Sequence, residues 1–423
     1  MIAEALASKQ QEEQEEAQQI PDVQKTDCCV VGAGPAGVVL AYLLARNGIR
    51  VTLLELHADF DRDFRGDTIH PSVLEIMDSL GLAERLHQLR HSKLRRLNLQ
   101  IGDGTGGVSV DFDFLKTKYP YIMMLPQAHF LEFVTEEARN FPNFNLIMGA
   151  NVQELIREEG TVRGVRFREN DDDDWHEVRA PFTVGADGRS SRMRRLSGME
   201  PVKTSPPMDV LWFRLPRMPG DPDGIAGRIG HGHILVMLDR MEEWQIAFVI
   251  LKGSFHRIRE AGLDELKRMI ADTAPELSGR VEHLKEWKQV AILSVESSRL
   301  KTWYQPGLLL IGDAAHVMTP VGGVGINYAI QDAVVAANVL TKPLKLGRLQ
   351  TSDLACVQRK RVLPTRFIQV FQAAVQKRIL MNALDTSKPF KFPFLLRLPL
   401  LRRIPARLIA FGLWRVHVDK SLL

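Results

Sequence analysis

Short apolar runs alternating with a helical repeat mark the start of the folded chain. Cys28–Val31 is an apolar run of strand length, and residues 38–46 carry apolar positions at helical spacing. Residues 50–55, in which Val51, Leu53 and Leu54 are apolar, form a second segment of strand length. Pro35 suits the first turn of a helix and Gly48 suits its end. The pattern predicts a strand, helix and strand in succession, which is typical of an α/β fold.

The middle and the end of the chain have other patterns. Residues 97–114 and 209–253 alternate apolar and polar positions around turns, which predicts an antiparallel sheet with one buried face. Beyond residue 345 the pattern predicts helices at 352–363 and 365–380, interrupted by Pro364. The last stretch has a proline every few residues, so its helices are expected to be short or kinked.

Charge is unevenly distributed along the 423 residues, whose net charge is +4. Residues 358–423 carry 14 Lys/Arg and 2 Asp/Glu, a charge of +12, against −8 for the rest. Because these cations are interspersed with Leu, Phe, Ile and Pro, two interpretations stay open: a membrane surface contact, or a cover packed on the body. Nucleic acid binding fits this composition less well.

The remaining composition favours a cytoplasmic protein. Three cysteines give neither a disulfide framework nor a metal pattern. Residues 1–22 are rich in Gln and Glu and lack the order of a signal peptide, so they are expected to be a disordered acidic leader. No apolar run approaches the length of a membrane span, about 18 residues.

A glycine-rich turn follows the first strand. Gly32, Gly34 and Gly37 form G-x-G-x-x-G, and Glu55 ends the second strand. Such glycines allow a tight turn and let a pyrophosphate approach the amides at a helix N-terminus, while the acid accepts ribose hydroxyls. The unit predicts binding of an ADP moiety, without separating NAD from FAD.

Two distant segments complete a recognisable set. Asp187-Gly188 ends a strand near residue 186, and Gly312-Asp313 follows the apolar run at 307–311. A loop with Pro320 and Gly322-Gly323-x-Gly325 then leads into a helix at 326–341. With G-x-G-x-x-G, these motifs resemble the FAD-dependent aromatic monooxygenases of the para-hydroxybenzoate hydroxylase type, over roughly residues 25 to 345.

The resemblance implies an α/β fold with a glutathione-reductase-type, Rossmann-like FAD-binding domain, an inserted antiparallel substrate-binding sheet and a helical C-terminal tail. The implied FAD-binding domain is discontinuous, over 23–94, 115–203 and 288–345. The sheet domain covers 95–114 and 204–287, and the basic apolar tail covers 346–423.

The resemblance also assigns residues. Asp313 is expected to bind the ribityl chain, and Arg65 to lie near the pyrophosphate and the incoming nicotinamide. Pro320 is expected beside the flavin as a catalytic position. The implied cofactor-binding set is Gly32, Gly34, Pro35, Ala36, Gly37, Glu55, Arg65, Gln127, Asp187, Gly312, Asp313, Pro320, Gly323, Val324, Gly325, Ile326 and Asn327. Val324 departs from the Gly-Gln-Gly that many hydroxylases have.

Two further assignments carry alternatives. Asp67 either faces the flavin as a catalytic group or caps the helix that begins near Pro71, and the cap is favoured. The sheet is expected to cover the active site and to form an apolar pocket. Its candidates are Trp212, Leu235, Met237 and Phe248, although about half of such residues are expected to fill the sheet's own core instead.

The implied activity uses non-covalent FAD, NAD(P)H and O₂ to hydroxylate an aromatic or otherwise electron-rich, lipophilic small molecule through a C4a-hydroperoxyflavin. A polyprenyl or geranylgeranyl reductase, a flavin-dependent halogenase and a non-catalytic prenyl-protein escort remain alternatives. The W-x-W-x-I-P element of the halogenases is absent from the sequence.

Other candidate chemistry is weaker. His231-x-His233 has no third ligand nearby in the sequence and is interpreted as part of a hairpin, so no metal site is predicted. Asp171–Asp174 lacks the spaced ligands of a calcium loop and is interpreted as a hairpin tip. His316 could relay a proton, but a structural role in the loop is favoured.

Overall fold

A computed structural model describes residues 22–61, 66–101, 106–169, 174–221, 224–385 and 399–423. Residues 1–21 of the acidic leader, Arg65 and most of the Asp171–Asp174 segment lie outside the described residues. The helices are α1 (Pro35–Arg46), α2 (Pro71–Ser79), α3 (Ala83–Leu86), α4 (Gln127–Arg139), α5 (Arg192–Leu196), α6 (Phe255–Ala261), α7 (Leu263–Thr273), α8 (Gly325–Lys345), α9 (Thr351–Val375), α10 (Met381–Leu384) and α11 (Pro399–Phe411).

Within the described residues, the strands form five sheets. They are β1 (Asp22–Lys25), β2 (Cys28–Val31), β3 (Val51–Leu54), β4 (Thr68–Ile69), β5 (Ser92–Leu94), β6 (Arg96–Ile101), β7 (Gly106–Asp111), β8 (Ile122–Met124), β9 (Phe144–Ile147), β10 (Ala150–Glu158), β11 (Thr161–Glu169), β12 (His176–Arg179), β13 (Phe182–Gly185), β14 (Pro201–Thr204), β15 (Met208–Pro216), β16 (Ile225–Gly230), β17 (His233–Arg240), β18 (Glu243–Leu251), β19 (Ala291–Ser294), β20 (Ser297–Leu300), β21 (Tyr304–Gln305), β22 (Leu308–Leu310) and β23 (His316–Val317).

The central sheet has six strands in the order β21-β22-β13-β2-β3-β9. Its inner strands pair in parallel, and only β21 runs antiparallel. Strands β2, β3 and β13 are buried along their whole length, which explains why they are apolar runs rather than alternating patterns. Because the strands are parallel, the ends of β2, β3, β13 and β22 meet at one edge of the sheet.

A second sheet of seven strands, the roof sheet, has the order β19-β15-β18-β17-β16-β6-β7. Its strands pair antiparallel except β16 and β6, which are parallel. β19 pairs with β15, so the roof sheet continues to Ser294. The predicted boundary at residue 287 therefore falls too early.

The C-terminal region contacts both sheets. α9 runs from Thr351 to Val375 through Pro364, so the prediction of two helices interrupted at this proline is wrong. A π-helical turn, Gln376–Leu380, and α10 continue it. α11 packs against β7 of the roof sheet and against α2. None of the helices in the described part of the chain is long and apolar enough to cross a membrane.

Candidate active site

The glycine-rich turn is shaped by two close backbone approaches. Gly32 has a φ of 99°, and a Cβ there would lie 2.6 Å from the carbonyl oxygen of Ala186. A Cβ on Gly37 would collide with the carbonyl oxygen of Gly32. A Cβ on Gly34, in contrast, would have no neighbouring atom closer than 3.9 Å. The first and third glycines are therefore required for folding, and the second leaves room beside the start of α1.

Glu55 lies where β3 ends, beside this turn. Its carboxylate accepts hydrogen bonds from the backbone N–H of Ala33 at 2.8 Å and of His57 at 3.2 Å. The side chain is 9% exposed, so one edge can still reach a ligand. A buried carboxylate held by main-chain donors is a fixed acceptor, as an adenosine ribose requires.

Asp187 follows β13 and begins the turn into α5. Its carboxylate accepts hydrogen bonds from the Ser191 hydroxyl at 2.5 Å and from the Met193 N–H at 2.8 Å. Burial raises the pKa of Asp187 and outweighs the lowering by these hydrogen bonds. The acid thus stabilises the first turn of α5, close to the glycine-rich turn.

Arg194, which sequence reasoning missed, connects two of the motifs. Its guanidinium donates to the carbonyl oxygens of Asp313 at 3.3 Å, Ala314 at 3.0 Å and Arg189 at 2.7 Å. Arg194 is only 9% exposed, so it joins the Asp187-Gly188 turn to the Gly312-Asp313 turn inside the protein. An arginine in a Ser- and Arg-rich helix start gives no sign, in sequence alone, of its distant partners.

Gly312 lies between α1 and α8 at the end of β22. Its φ is 60°, and a Cβ there would meet the methyl groups of Ala36 and Ala329 at 3.3 Å. The next residue, Asp313, is partly exposed at this junction. The expected acid therefore lies at the same edge of the central sheet as the glycine-rich turn.

A buried cluster of charged side chains binds the backbone N–H of Gly312. The Asp332 carboxylate in α8 accepts from the Gly312 N–H at 3.1 Å, from His316 Nε2 at 2.6 Å and from Arg361 Nε at 2.6 Å. Burial raises the pKa of Asp332, but the charges and hydrogen bonds of His316 and Arg361 outweigh it and lower the pKa overall. His316 therefore has a structural partner, in agreement with the favoured interpretation.

The loop from Pro320 to Gly325, hereafter the flavin loop, turns sharply at two glycines. Gly322 has a φ of 81° and Gly323 a φ of 62°. A Cβ on Gly323 would come within 2.8 Å of Thr68 Oγ1, which itself donates to the Gly323 carbonyl oxygen at 3.0 Å. Gly325 begins α8 with open space around it. Main chain therefore forms the surface of this loop, as a closely approaching ring requires.

Two predicted contacts in this segment can involve only main chain. Val324 is 1% exposed and packs with Met318 and Tyr328, away from the loop surface. Asn327 uses its side chain to accept from the His70 N–H at 2.8 Å and to donate to the Thr68 carbonyl oxygen at 3.2 Å. Both side chains serve the loop's own structure.

Two glutamines of α9 donate hydrogen bonds to main-chain carbonyl oxygens in the flavin loop and just before it. Gln372 Nε2 donates to the carbonyl oxygens of Thr319 at 2.9 Å and Val321 at 2.8 Å, on either side of Pro320. One turn earlier, Gln369 Nε2 donates to Val317 at 3.1 Å. The spacing of these glutamines in an otherwise basic and apolar helix was a usable signal that sequence reasoning missed.

Asp67 does not cap α2, so the favoured interpretation is wrong. α2 begins after His70, which makes no capping hydrogen bond with its side chain. Asp67 instead pairs with Arg240 of the roof sheet at 2.6 Å and accepts from the Gln127 N–H at 3.3 Å, at the start of α4. Burial raises the pKa of Asp67 and outweighs the attraction of Arg240. The acid thus joins the segment before β4, which forms a three-stranded sheet with β8 and β5, to the roof sheet.

The roof sheet has two apolar faces with different partners. One face, hereafter the front face, carries Trp212 and packs with Val321 of the flavin loop and with residues of α10. Leu235, Met237 and Phe248 lie on the opposite face and pack against α6 and α7. The pocket prediction is therefore corrected for these three residues, whose alternation places them in the sheet's own core, and Trp212 alone of the four candidates faces the loop.

His70 connects the flavin loop to the C-terminal helix. It is fully buried, and its Nδ1 lies 2.7 Å from the carbonyl oxygen of Ile409 in α11. The side chain of Ile409 also lies 3.4 Å from where a Cβ on Gly322 would stand. Burial lowers the pKa of His70 to about 4. The tail thus covers the loop, while contact with a membrane stays a prediction.

These features fit an extended dinucleotide whose ring system ends at the flavin loop. The glycine-rich turn and Glu55 would hold the adenosine half, Asp313 the ribityl chain, and the main chain of the flavin loop the ring. Among the described residues, no group of three or more His, Cys, Asp or Glu could hold a metal ion. Fold and site together define a dinucleotide-binding α/β protein with a second, mostly antiparallel sheet.

Comparisons with known proteins give the family. The family model "FAD binding domain" matches residues 25–362. The chain is 33% identical over 409 residues to 6-methylpretetramide 4-monooxygenase from Streptomyces rimosus, covering 94% of this chain and 95% of that protein. It is 24% identical to para-nitrophenol 4-monooxygenase of Pseudomonas sp. strain WBC-3, covering 79% and 82%.

A solved structure agrees with the fold. PqsL of Pseudomonas aeruginosa in complex with 2-aminobenzoylacetate superposes with a TM-score of 0.74 at 19% identity, covering 85% of this chain and 98% of that one. The chain therefore belongs to the FAD binding domain family, among FAD-dependent aromatic monooxygenases. It is an FAD-dependent oxidoreductase.

Proposed function

We propose that the protein hydroxylates a polycyclic aromatic, lipophilic substrate, with NAD(P)H as reductant and O₂ as oxidant. The observation that carries the proposal is the front face of the roof sheet, whose apolar side chains lie opposite the flavin loop. A relative named for 6-methylpretetramide aligns with 94% of this chain, which supports a fused-ring substrate.

Each part of the site has a task in this reaction. Bound FAD supplies the hydride-accepting and oxygen-activating chemistry. The main chain at the start of α8 would stabilise negative charge on the reduced ring, because no acidic residue stands in its first turn. The front face, α10 and α11 would exclude water from the ring and orient the substrate.

The other candidates are less well supported. A reductase of isoprenoid chains and a halogenase share this fold class, but the relative that is 33% identical and covers 94% of this chain is named a monooxygenase. The non-catalytic escort would have no need of the room that Gly34 leaves beside the start of α1. FAD is proposed to be bound non-covalently.

The decisive experiment follows labelled oxygen. The purified protein should be yellow and should release FAD on acid denaturation, and NADPH or NADH should bleach it anaerobically. Incubation with 6-methylpretetramide under ¹⁸O₂ should then yield a product heavier by one labelled oxygen in mass spectrometry. Bleaching and reoxidation without label in any of a panel of polycyclic phenols would contradict hydroxylation and favour the reductase.

A matched pair of variants checks the site. Glu55→Gln should weaken FAD binding, because the amide presents an N–H where the ribose needs an acceptor. Glu260→Gln, in an exposed pair with His256, should leave FAD content unchanged. Equal FAD content in both variants would remove Glu55 from the cofactor site.

We also propose a cytoplasmic location with peripheral contact to an anionic membrane surface. The outward face of α9 and the turn after it exposes Leu363, Phe367 and Val370 among Arg359, Lys360, Arg366, Lys377 and Arg378. Exposed apolar side chains surrounded by cations are typical of interfacial helices. Sedimentation with phosphatidylglycerol vesicles, but not phosphatidylcholine vesicles, is expected, and Phe367→Glu should abolish it. No sedimentation with either vesicle would contradict the contact.

A further inference from the structure

Gln245 and Trp212 place two uncharged polar groups on the front face of the roof sheet. Gln245 projects from β18 and Trp212 from β15, on the same side as Val249. Trp212 stands directly opposite Ala247, two residues from Gln245. Such diagonal neighbours lie about 7–8 Å apart, so both side chains can reach one small molecule.

Each of these side chains buries a polar atom that lacks a partner. Gln245 is 1% exposed, and its Oε1 has no hydrogen bond. The indole Nε1 of Trp212 is likewise buried without a partner. A buried polar group without a partner costs stability, and a ligand that supplied the missing hydrogen bonds would remove that cost for both side chains.

The surroundings connect this pair to the flavin loop. Val236 and Val249 of the same face belong to one apolar cluster, against which Val321, next to Pro320, also packs. Arg214, opposite Gln245 across the strands, acts electrostatically on Asp67 beside the flavin loop. The two orphaned atoms therefore lie on the wall that the substrate is proposed to occupy.

The shape of the wall indicates the kind of molecule. Trp212, Ala247 and Val236 stand side by side on three adjacent strands. Strands lie about 4.8 Å apart, so this row spans about 10 Å, which is wider than a single benzene ring. A flat fused-ring system would cover the row and bring its substituents to the two polar groups.

We propose that Gln245 and Trp212 determine substrate specificity by binding the oxygenated edge of a fused aromatic ligand, Gln245 accepting from a ring hydroxyl and Trp212 donating to a ring carbonyl. The inference rests on the proposed function, whose substrate class it specifies. Neither side chain takes part in the oxygen transfer itself, so both act on recognition.

The test compares ligands that differ by one group. 2-Hydroxyanthraquinone has the hydroxyl and the carbonyls, and 9,10-anthraquinone lacks the hydroxyl. With FAD-loaded protein, binding is measured by the change in flavin absorbance. The wild type should bind the hydroxylated ligand about tenfold or more tightly, because a site built for a hydroxyl discriminates against its absence. Gln245→Leu should remove this preference, whereas Trp212→Phe should weaken the binding of both ligands.

A second readout separates recognition from a structural role. Gln245→Leu replaces an unpaired buried amide by an apolar group of similar volume, so urea unfolding should show equal or greater stability. Trp287→Phe, on the opposite side of the sheet against Phe255, is the control and should leave both affinities unchanged.

Several results would overturn the proposal. These are a loss of stability in Gln245→Leu, an unchanged ligand preference in that variant, or failure of the wild type to bind either anthraquinone. Because FAD content and reduction by NADPH are measured on the same samples, a protein that keeps both would retain the proposed oxidoreductase function while losing this inference.

Discussion

At the scale of single residues, the site is supported by ionisable side chains that burial keeps in the neutral form. His70 is the clearest example, since it is fully buried against the flavin loop and α11. Burial lowers its pKa to about 4, so it is neutral near neutral pH and can donate from Nδ1 to Ile409. The helix and the loop are thus joined by a neutral imidazole.

His70 makes stability depend on pH in the acidic range. Its folded pKa of about 4 lies below the unfolded value of 6.5, so the unfolded chain takes up the proton first. Stability from the neutral ring is complete above about pH 6.5 and is lost as the pH falls towards 4, by about 3 kcal/mol at most. Urea unfolding of His70→Asn, which keeps a donor near Nδ1, should lose this pH dependence; the exposed His256→Asn should keep it.

Asp332 offers a second test at this scale. Asp332→Asn leaves His316 and Arg361 without their buried carboxylate, so about 3–5 kcal/mol of stability should be lost in urea unfolding at pH 7. Because the folded pKa is lowered, the wild-type contribution exists at neutral pH and disappears as the pH falls below about 4, as the unfolded carboxyl protonates. Asp272→Asn, in an exposed pair, should change little. Equal loss in both variants would contradict the buried cluster.

At the scale of elements, local sequence patterns predicted the turns and strands, whereas contacts between distant residues were not predicted. The glycine-rich turn, the strand ends at Asp187 and Asp313, and the roof sheet follow from spacing and alternation. The predictions that failed concern residues whose partners are distant in the sequence. Asp67 pairs with Arg240, 173 positions away, and no local signal distinguishes that from a cap. Alternation likewise separates the two faces of β17 without indicating which one meets the flavin loop.

The glutamines of α9 lead to a prediction at this scale. Gln372→Leu removes the amide that donates to both carbonyls flanking Pro320, so the flavin loop should lose its fixed conformation. FAD affinity, measured by recovery of flavin fluorescence on dilution, should fall about tenfold. Ala374→Gln on the exposed side of the same helix is the control and should bind FAD as the wild type does. An unchanged affinity in Gln372→Leu would show that the loop keeps its conformation without α9.

At the scale of the whole molecule, one hydrophobic cluster joins three parts of the chain. It combines Met124 of the central body, Phe112 of the roof region and Ala410 of α11. The basic tail is therefore part of the catalytic body rather than an appendage, at least in α11. Sequence could place helices there, but their prolines and cations gave no indication of which surface they would cover.

Removal of α11 tests this arrangement. A chain ending at Asp385 lacks the Ile409 carbonyl that accepts from His70 and the Ile409 side chain that packs against Gly322. It also exposes Phe112 and Met124, which are now 1% and 3% exposed. FAD should therefore dissociate at a lower temperature than in the full chain, as measured by flavin fluorescence on heating, and the truncated protein should bind a hydrophobic dye. Arg407→Gln, on the exposed side of α11, controls for lost charge and should release FAD at the wild-type temperature. Identical release from the truncated and full chains would mean that the central sheet and α9 alone hold the flavin loop, and that α11 serves another surface.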